Sequence, residues 1–178
     1  NILYRAYENR VELGAGGMTE SLTLEGEGVN VLKQADSSFI VRISGTKRMV
    51  ALNVKNTKTG KIVAQWTYRV MNLPSPVLFW GKYPDGSKIT LDQEELAANY
   101  DDTGLFGDSK FTILVYEVQI EGIQETFKVS GNKITPEIIE GLKMARALKE
   151  GKKIEMTVVA KVTHKDGIMR KETARFFY

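Results

Sequence analysis

Seven short runs in which apolar and polar residues alternate occupy the first seventy positions, at 3–7, 10–13, 22–26, 29–33, 39–44, 49–56 and 62–70. Turn clusters such as GAGG, ADSS and NTKTG separate them, and no helical period runs through them. A side-chain repeat of two belongs to strands with one wet and one dry side, and strands about eight to twelve residues apart are what two stacked sheets produce. Residues 1–73 therefore read as a two-sheet β-sandwich. In the run KIVAQWTYRV, Ile62, Ala64, Trp66, Tyr68 and Val70 are expected to face a core, while Lys61, Val63, Gln65, Thr67 and Arg69 face water.

The stretch NLPSPVLF then places Pro74 and Pro76 either side of Ser75. Two fixed φ angles force an extended, donor-poor backbone, so a short, stiff domain boundary is expected near residue 75. The aromatic pair Phe79 and Trp80 just beyond it reads as packing between domains, or as an exposed anchor for a partner.

Residues 74–178 mix elements. Thr90 followed by Gln93 matches a capping box and predicts a helix through about Ala98. Residues 111–120 and 125–131 read as neighbouring strands, and KIEMTVVAKV and GIMRKETARFFY as two long strands turning at Asp166-Gly167. Between them lies the most legible helix, in KITPEIIEGLKMARALKEGKKIEM. Thr135 is expected to cap it, Pro136 to occupy its first turn, and Gly151 to end it in a left-handed conformation. Ile138, Leu142 and Ala145 form its apolar stripe, widened by Ile139 and Leu148. Glu137 and Glu140 complement one end of the dipole, Arg146 and Lys149 the other. The helix holds no His, Cys, Ser or Asn, so it is expected to close a core. The second domain is thus an α+β sheet with one or two helices.

At 42% hydrophobic residues the 178-residue chain has the composition of a globular protein. It has no cysteine, which removes disulfides, thiolate nucleophiles and thiolate metal sites and leaves the redox compartment open. No apolar run is long enough to span a bilayer, and the chain opens on Asn1 without a leader pattern, so it reads as an excised soluble fragment or a mature form. The net charge of +3 hides an alternation: residues 1–73 carry +4, residues 74–142 carry −7, and residues 143–178 carry +6. That is not the single basic stripe of a nucleic-acid binder. It suggests separate acidic and basic contact zones, or solvated faces without partners. Lys143, Arg146, Lys149, Lys152 and Lys153 are the basic group expected to meet an acidic partner.

No residue set calls for catalysis. His164 is the only histidine and is read as standing in a mobile polar turn, without the partners that a general base or a metal site needs. Asp101, Asp102 and Asp108 in DDTGLFGDS lack the ligand ladder of a dedicated calcium loop and read as an acidic surface loop. GAGG at 14–17 is a turn, since neither Lys-Ser nor Lys-Thr follows it. Paired-carboxylate hydrolysis through Glu94, Glu95, Asp101 or Asp102 is disfavoured, because such residues beside a short helix are normally solvated. No cofactor is expected.

Taken in order, LYRAYENRVEL, RVMNLPSPVLFWGK, LDQEELAANYDD, ITPEIIEGLKMARALKEGKKIEM and KDGIMRKETARFFY resemble the C-terminal periplasmic region of the GldM/PorM family of gliding-motility and type IX secretion proteins, across essentially the whole chain. The resemblance implies an immunoglobulin-like sandwich followed by an α+β domain. It also implies a non-enzymatic role in Bacteroidota: a periplasmic homodimer, anchored to the inner membrane in the full-length protein, that couples a proton-driven motor partner to periplasmic ring subunits. On that resemblance the anchor and the proton pathway are expected to lie outside these residues. A rival expectation is a cell-envelope module binding carbohydrate or peptide on an aromatic platform drawn from Tyr4, Tyr7, Trp66 or Tyr68.

Overall fold

The computed structural model describes residues 1–14, 21–100 and 109–178, so Asp101, Asp102, Asp108 and all of GAGG after Gly14 lie outside it. The chain divides into two compact units, Asn1–Pro74 and Ser75–Tyr178. Each has its own apolar core.

The first unit holds β1 (Ile2–Tyr4), β2 (Asn9–Val11), β3 (Leu22–Glu25), β4 (Val29–Lys33), β5 (Phe39–Ile43), β6 (Met49–Asn56) and β7 (Ile62–Met71). They make a four-stranded sheet in the order β1-β7-β6-β3 and a three-stranded sheet in the order β2-β5-β4. Leu3, Leu24, Val50, Leu52, Val54 and Val70 from the first sheet join Val11, Phe39 and Val41 from the second in one core. Asn9 ties the two together: Tyr4 N–H donates to its Oδ1 at 2.7 Å, and its Nδ2 donates to the carbonyls of Tyr4 at 2.9 Å and Val41 at 3.0 Å. A buried amide satisfied this fully fixes the path from β1 into the second sheet.

β7 departs from its expected dry side. Val70 is buried and Ala64 and Tyr68 half-buried, but Trp66 is 38% exposed and Ile62 56%. From Ala64 to Val70 the period of two is kept, since Trp66 stands opposite the buried Leu52 and Tyr68 opposite Val50, whereas the register shifts between Val54 and Lys55 and leaves Ile62 opposite Lys55, out of phase with the dry side. At Trp66 what fails is cover. β1 runs parallel to β7 only at residues 69–71, and among the described residues no strand pairs on that side of residues 62–68. The dry face therefore thins along an open edge.

The second unit holds β8 (Val77–Trp80), β9 (Tyr83–Pro84), β10 (Leu96–Asn99), β11 (Thr112–Ile120), β12 (Thr126–Ser130), α1 (Pro136–Leu148), β13 (Glu155–Thr163) and β14 (Met169–Phe177). One sheet runs β10-β8-β9 and the other β12-β11-β13-β14. The architecture is β-rich α+β, with α1 as the one helix among the described residues.

The helix expected at 90–98 is instead a turn followed by β10. Leu96 and Ala98 are buried while Ala97 and Asn99 are half-buried, a period of two, and β10 pairs with β8. The capping residues are used otherwise. Thr90 Oγ1 hydrogen-bonds the Asp92 carboxylate, and Gln93 Oε1 accepts from Lys82 N–H at 3.2 Å. Gln93 folds over Gly81, where a Cβ would stand 1.9 Å from Gln93 Oε1 and where φ is +57°. Tertiary pairing thus overrides a local helix signal. Trp80 is wholly buried in the core of this unit, its Nε1 donating to the Thr90 carbonyl at 3.2 Å and its ring 6.2 Å from that of Phe176. The packing expected of it at the domain junction therefore occurs inside one unit. Phe79 is half-buried in the same strand, Pro74 is exposed and Pro76 buried.

Candidate interaction surface

The predicted helix forms as α1, with its start built differently from the sequence expectation. Thr135 has the extended backbone of an N-cap, φ −91° and ψ 153°, but its side chain caps no amide. Its hydroxyl turns to the Glu137 carboxylate, which is held below its usual range by its own backbone N–H first and by Thr135 second. At the other end Gly151 takes the expected left-handed conformation, φ 78°, and Glu150 just before it does so too, φ 54°. Glu150 N–H donates to the Ala147 carbonyl at 3.1 Å and Gly151 N–H to the Arg146 carbonyl at 2.8 Å. That pair of bonds is a Schellman closure.

Ile138, Gly141, Leu142 and Ala145 make the buried stripe. Burying Ile138 and Leu142 stabilises by roughly 2 kcal/mol each. A Cβ at Gly141 would meet the Phe127 ring at 3.0 Å and Ile120 at 3.1 Å, so glycine lets the helix lie close on β11 and β12. Leu148, expected in this stripe, is instead 68% exposed, and Met144 one turn earlier is 56% exposed. The two are four residues apart and form an apolar ridge on the outer face.

The five basic residues expected to bind a partner are engaged differently within the chain. Lys143 pairs with Glu140 at 2.8 Å, and Glu140 holds it in the charged form by raising its pKa. Lys149 pairs with Glu121, whose other oxygen accepts from Glu155 N–H at 3.1 Å. Lys149 and that amide together depress Glu121, and the arrangement clamps the helix end to the start of β13. Arg146 lies 4.7 Å from the centre of the Tyr178 ring, and Lys153 3.6 Å from that of Phe177. Lys152 is exposed. Arg146 and Lys149 thus brace the helix end against Tyr178 and Glu121, and Lys153 packs the following segment on Phe177, while Met144, Leu148, Lys143 and Lys152 are exposed. Composition marked the basic residues; the apolar ridge could have been found from Met144, which lies off the buried stripe.

The other sequence candidates separate cleanly. His164 is half-buried just before the turn, not loose in it, with its ring 5.0 Å from that of Phe111 and its Nδ1 buried without a hydrogen-bond partner. Burial lowers its pKa, as do Arg170 and Lys165, against the opposing pull of Asp166. Among the described residues no three His, Asp or Glu side chains converge to hold a metal ion. The buried Tyr116 hydroxyl donates to the Lys133 carbonyl at 2.6 Å, and burial pushes its pKa up to about 12. The four candidate aromatics share no platform. Tyr4 stands opposite Met71 on one face of its sheet and Trp66 opposite Leu52 on the other, while Tyr4 and Tyr7 pack edge to face at 6.5 Å. No protein-family model matches the chain, and no curated protein matches it closely enough to count as a relative.

Proposed function

We propose that the chain is a non-enzymatic structural and interaction module of a GldM/PorM-like component of the type IX secretion and gliding machinery. In this reading it lies in the periplasm, belongs to a protein anchored in the inner membrane, and helps couple the membrane motor to the ring subunits. The first unit is read as an immunoglobulin-like sandwich. Support for that comes from the seven strands among its described residues, in two sheets around one core.

The observation that carries the reading is how α1 is held. Its inner face is locked by Ile138, Leu142 and Ala145 and its end by the Lys149–Glu121–Glu155 clamp, while Met144 and Leu148, like Lys143 and Lys152, stay exposed. A rigid element presenting an apolar ridge with basic flanks is suited to a partner surface with acidic residues around an apolar groove. The open side of β7 over residues 62–68, with Ile62, Val63 and Trp66 exposed, supports a homodimer in which a second copy covers that edge.

Lys143→Glu with Lys152→Glu tests the contact. In this reading the pair weakens co-purification of the ring subunits and flattens its salt dependence. Unchanged recovery at every salt concentration would remove α1 from the contact.

A further inference from the structure

We infer that the first unit carries a second binding site, at the β1 end of its four-stranded sheet, for an acidic segment of a partner protein in which carboxylates are flanked by aliphatic residues. The site is separate from α1 and goes beyond the function proposed above. Its floor is set by register. Ile2, Arg69 and Met49 lie directly opposite one another across β1, β7 and β6, and Tyr4 and Met71 make the next row on the same face. Ile2 is 45% exposed, Met49 51% and Met71 41%, so Arg69 stands at the centre of an apolar surface that no part of its own sheet covers. A cleft of about 480 Å³ opens there, lined by Arg5, Arg48, Met49, Arg69, Val70 and Asn72. Three of those six are arginines and none is acidic.

The arginines are set in place before any ligand arrives. Arg5 donates to the carbonyls of Thr46 at 2.9 Å and Lys47 at 2.7 Å, and also to that of Gly45, so it pins the loop leading into Arg48. The Arg48 carbonyl accepts from Val70 N–H at 2.8 Å, and Arg69 N–H donates to the Asn1 carbonyl at 3.1 Å. Backbone at both positions is therefore fixed, while both side chains are exposed and neither forms an ion pair with a carboxylate among the described residues. Elsewhere in this unit Arg10, Arg42, Lys47 and Lys55 each have a carboxylate partner. Two guanidiniums that lack one, facing one cleft beside two methionines, are complementary to carboxylates presented with apolar neighbours. The methionine side chains exclude water from one flank, which strengthens an ion pair formed there, and guanidinium binds carboxylate in a bidentate fork. Methionine and arginine are also among the side chains enriched where proteins meet.

The test uses a fluorescein-labelled probe peptide with two glutamates flanked by leucines, followed by fluorescence anisotropy against the whole chain. A matched peptide carrying lysines in place of the glutamates, phosphatidylglycerol vesicles and inorganic phosphate serve as the other arms. Binding of the acidic peptide is expected, weakening with salt, with loss of about fivefold in affinity for Arg48→Ala or Arg69→Ala and complete loss for Arg48→Glu with Arg69→Glu. Both side chains are exposed, so the variants should keep the circular dichroism and melting temperature of the parent. Lys143→Glu with Lys152→Glu should leave this binding unchanged, which separates it from the α1 contact. The assignment is overturned if the lysine peptide binds as well, if the double reversal binds the acidic peptide undiminished, or if only vesicles or phosphate bind. Self-association of the chain that Arg69→Glu abolishes, with no peptide binding, would reassign the surface to a second copy.

Discussion

Asp166 and Arg170 form the most buried ion pair among the described residues, 2.5 Å apart, with side chains 2% and 9% exposed. The carboxylate also accepts from Ile168 N–H at 2.9 Å, and the guanidinium lies 5.3 Å from the centre of the Phe111 ring. The turn joining β13 to β14 is therefore held by charge as much as by Gly167. Replacing Asp166 by asparagine withdraws the charge from a buried arginine, and a loss of about 3 kcal/mol is expected in urea unfolding of the second unit. A loss below about 0.5 kcal/mol would mean that the pair is solvated.

The same corner should make the fold sensitive to acid in two steps. His164, depressed by burial first and then by Arg170 and Lys165, contributes stability that is full above its unfolded pKa of about 6.5 and falls as pH drops through its lower folded value. Burial alone would raise Asp166, but Arg170 and the Ile168 N–H hold it below the usual carboxylate range. Its contribution is therefore lost only below about pH 4. Melting temperature should start to fall below about pH 6.5 in the parent, and His164→Phe, which keeps a ring against Phe111, should flatten that first step. An identical slope in the two proteins would exclude His164 as its source.

Glu150 occupies the left-handed position at the end of α1, where a Cβ is strained by about 1 kcal/mol. Glu150→Gly should stabilise the second unit by roughly 0.5–1 kcal/mol, the balance of relieved strain against added chain entropy. Calorimetry showing a lower melting temperature would indicate that the Glu150 side chain makes a contact worth more than the strain.

At Gly81, both the positive φ and the Gln93 side chain exclude a Cβ. Gly81→Ala should displace Gln93 from the Lys82 amide and cost about 2 kcal/mol, and Gly81→Ala with Gln93→Ala should recover only the steric part. Equal losses in the single and double variants would place the whole effect in the backbone.

Much of the fold was readable where several local signals agreed. Residues 29–33 and 49–56 match β4 and β6 end for end, because alternation, turn chemistry and β-branched residues all agree there. Residues 90–98 misled because Thr90 and Gln93 satisfy a local helix rule, while Leu96 and Ala98 answer to pairing with β8, which no local pattern reports. The short β8, hidden behind two prolines, left no period to count. Trp80 read as a junction residue for the same reason, since only the Phe176 and Thr90 contacts reveal its core. On α1 the stripe and its charges were legible, but which cations are engaged depended on Glu121, Tyr178 and Phe177, all distant in sequence from the helix. Leu148 looked like core because its spacing fits, yet it is 68% exposed at the last residue of the helix.

The account rests on α1 presenting its outer face to another protein. Sedimentation velocity of the chain mixed with purified ring subunits tests this most directly. A faster-moving complex should form with the parent and disappear with Met144→Glu and Leu148→Glu, two exposed positions whose replacement leaves the core intact. No complex with the parent, or an undiminished one with the double variant, would contradict it.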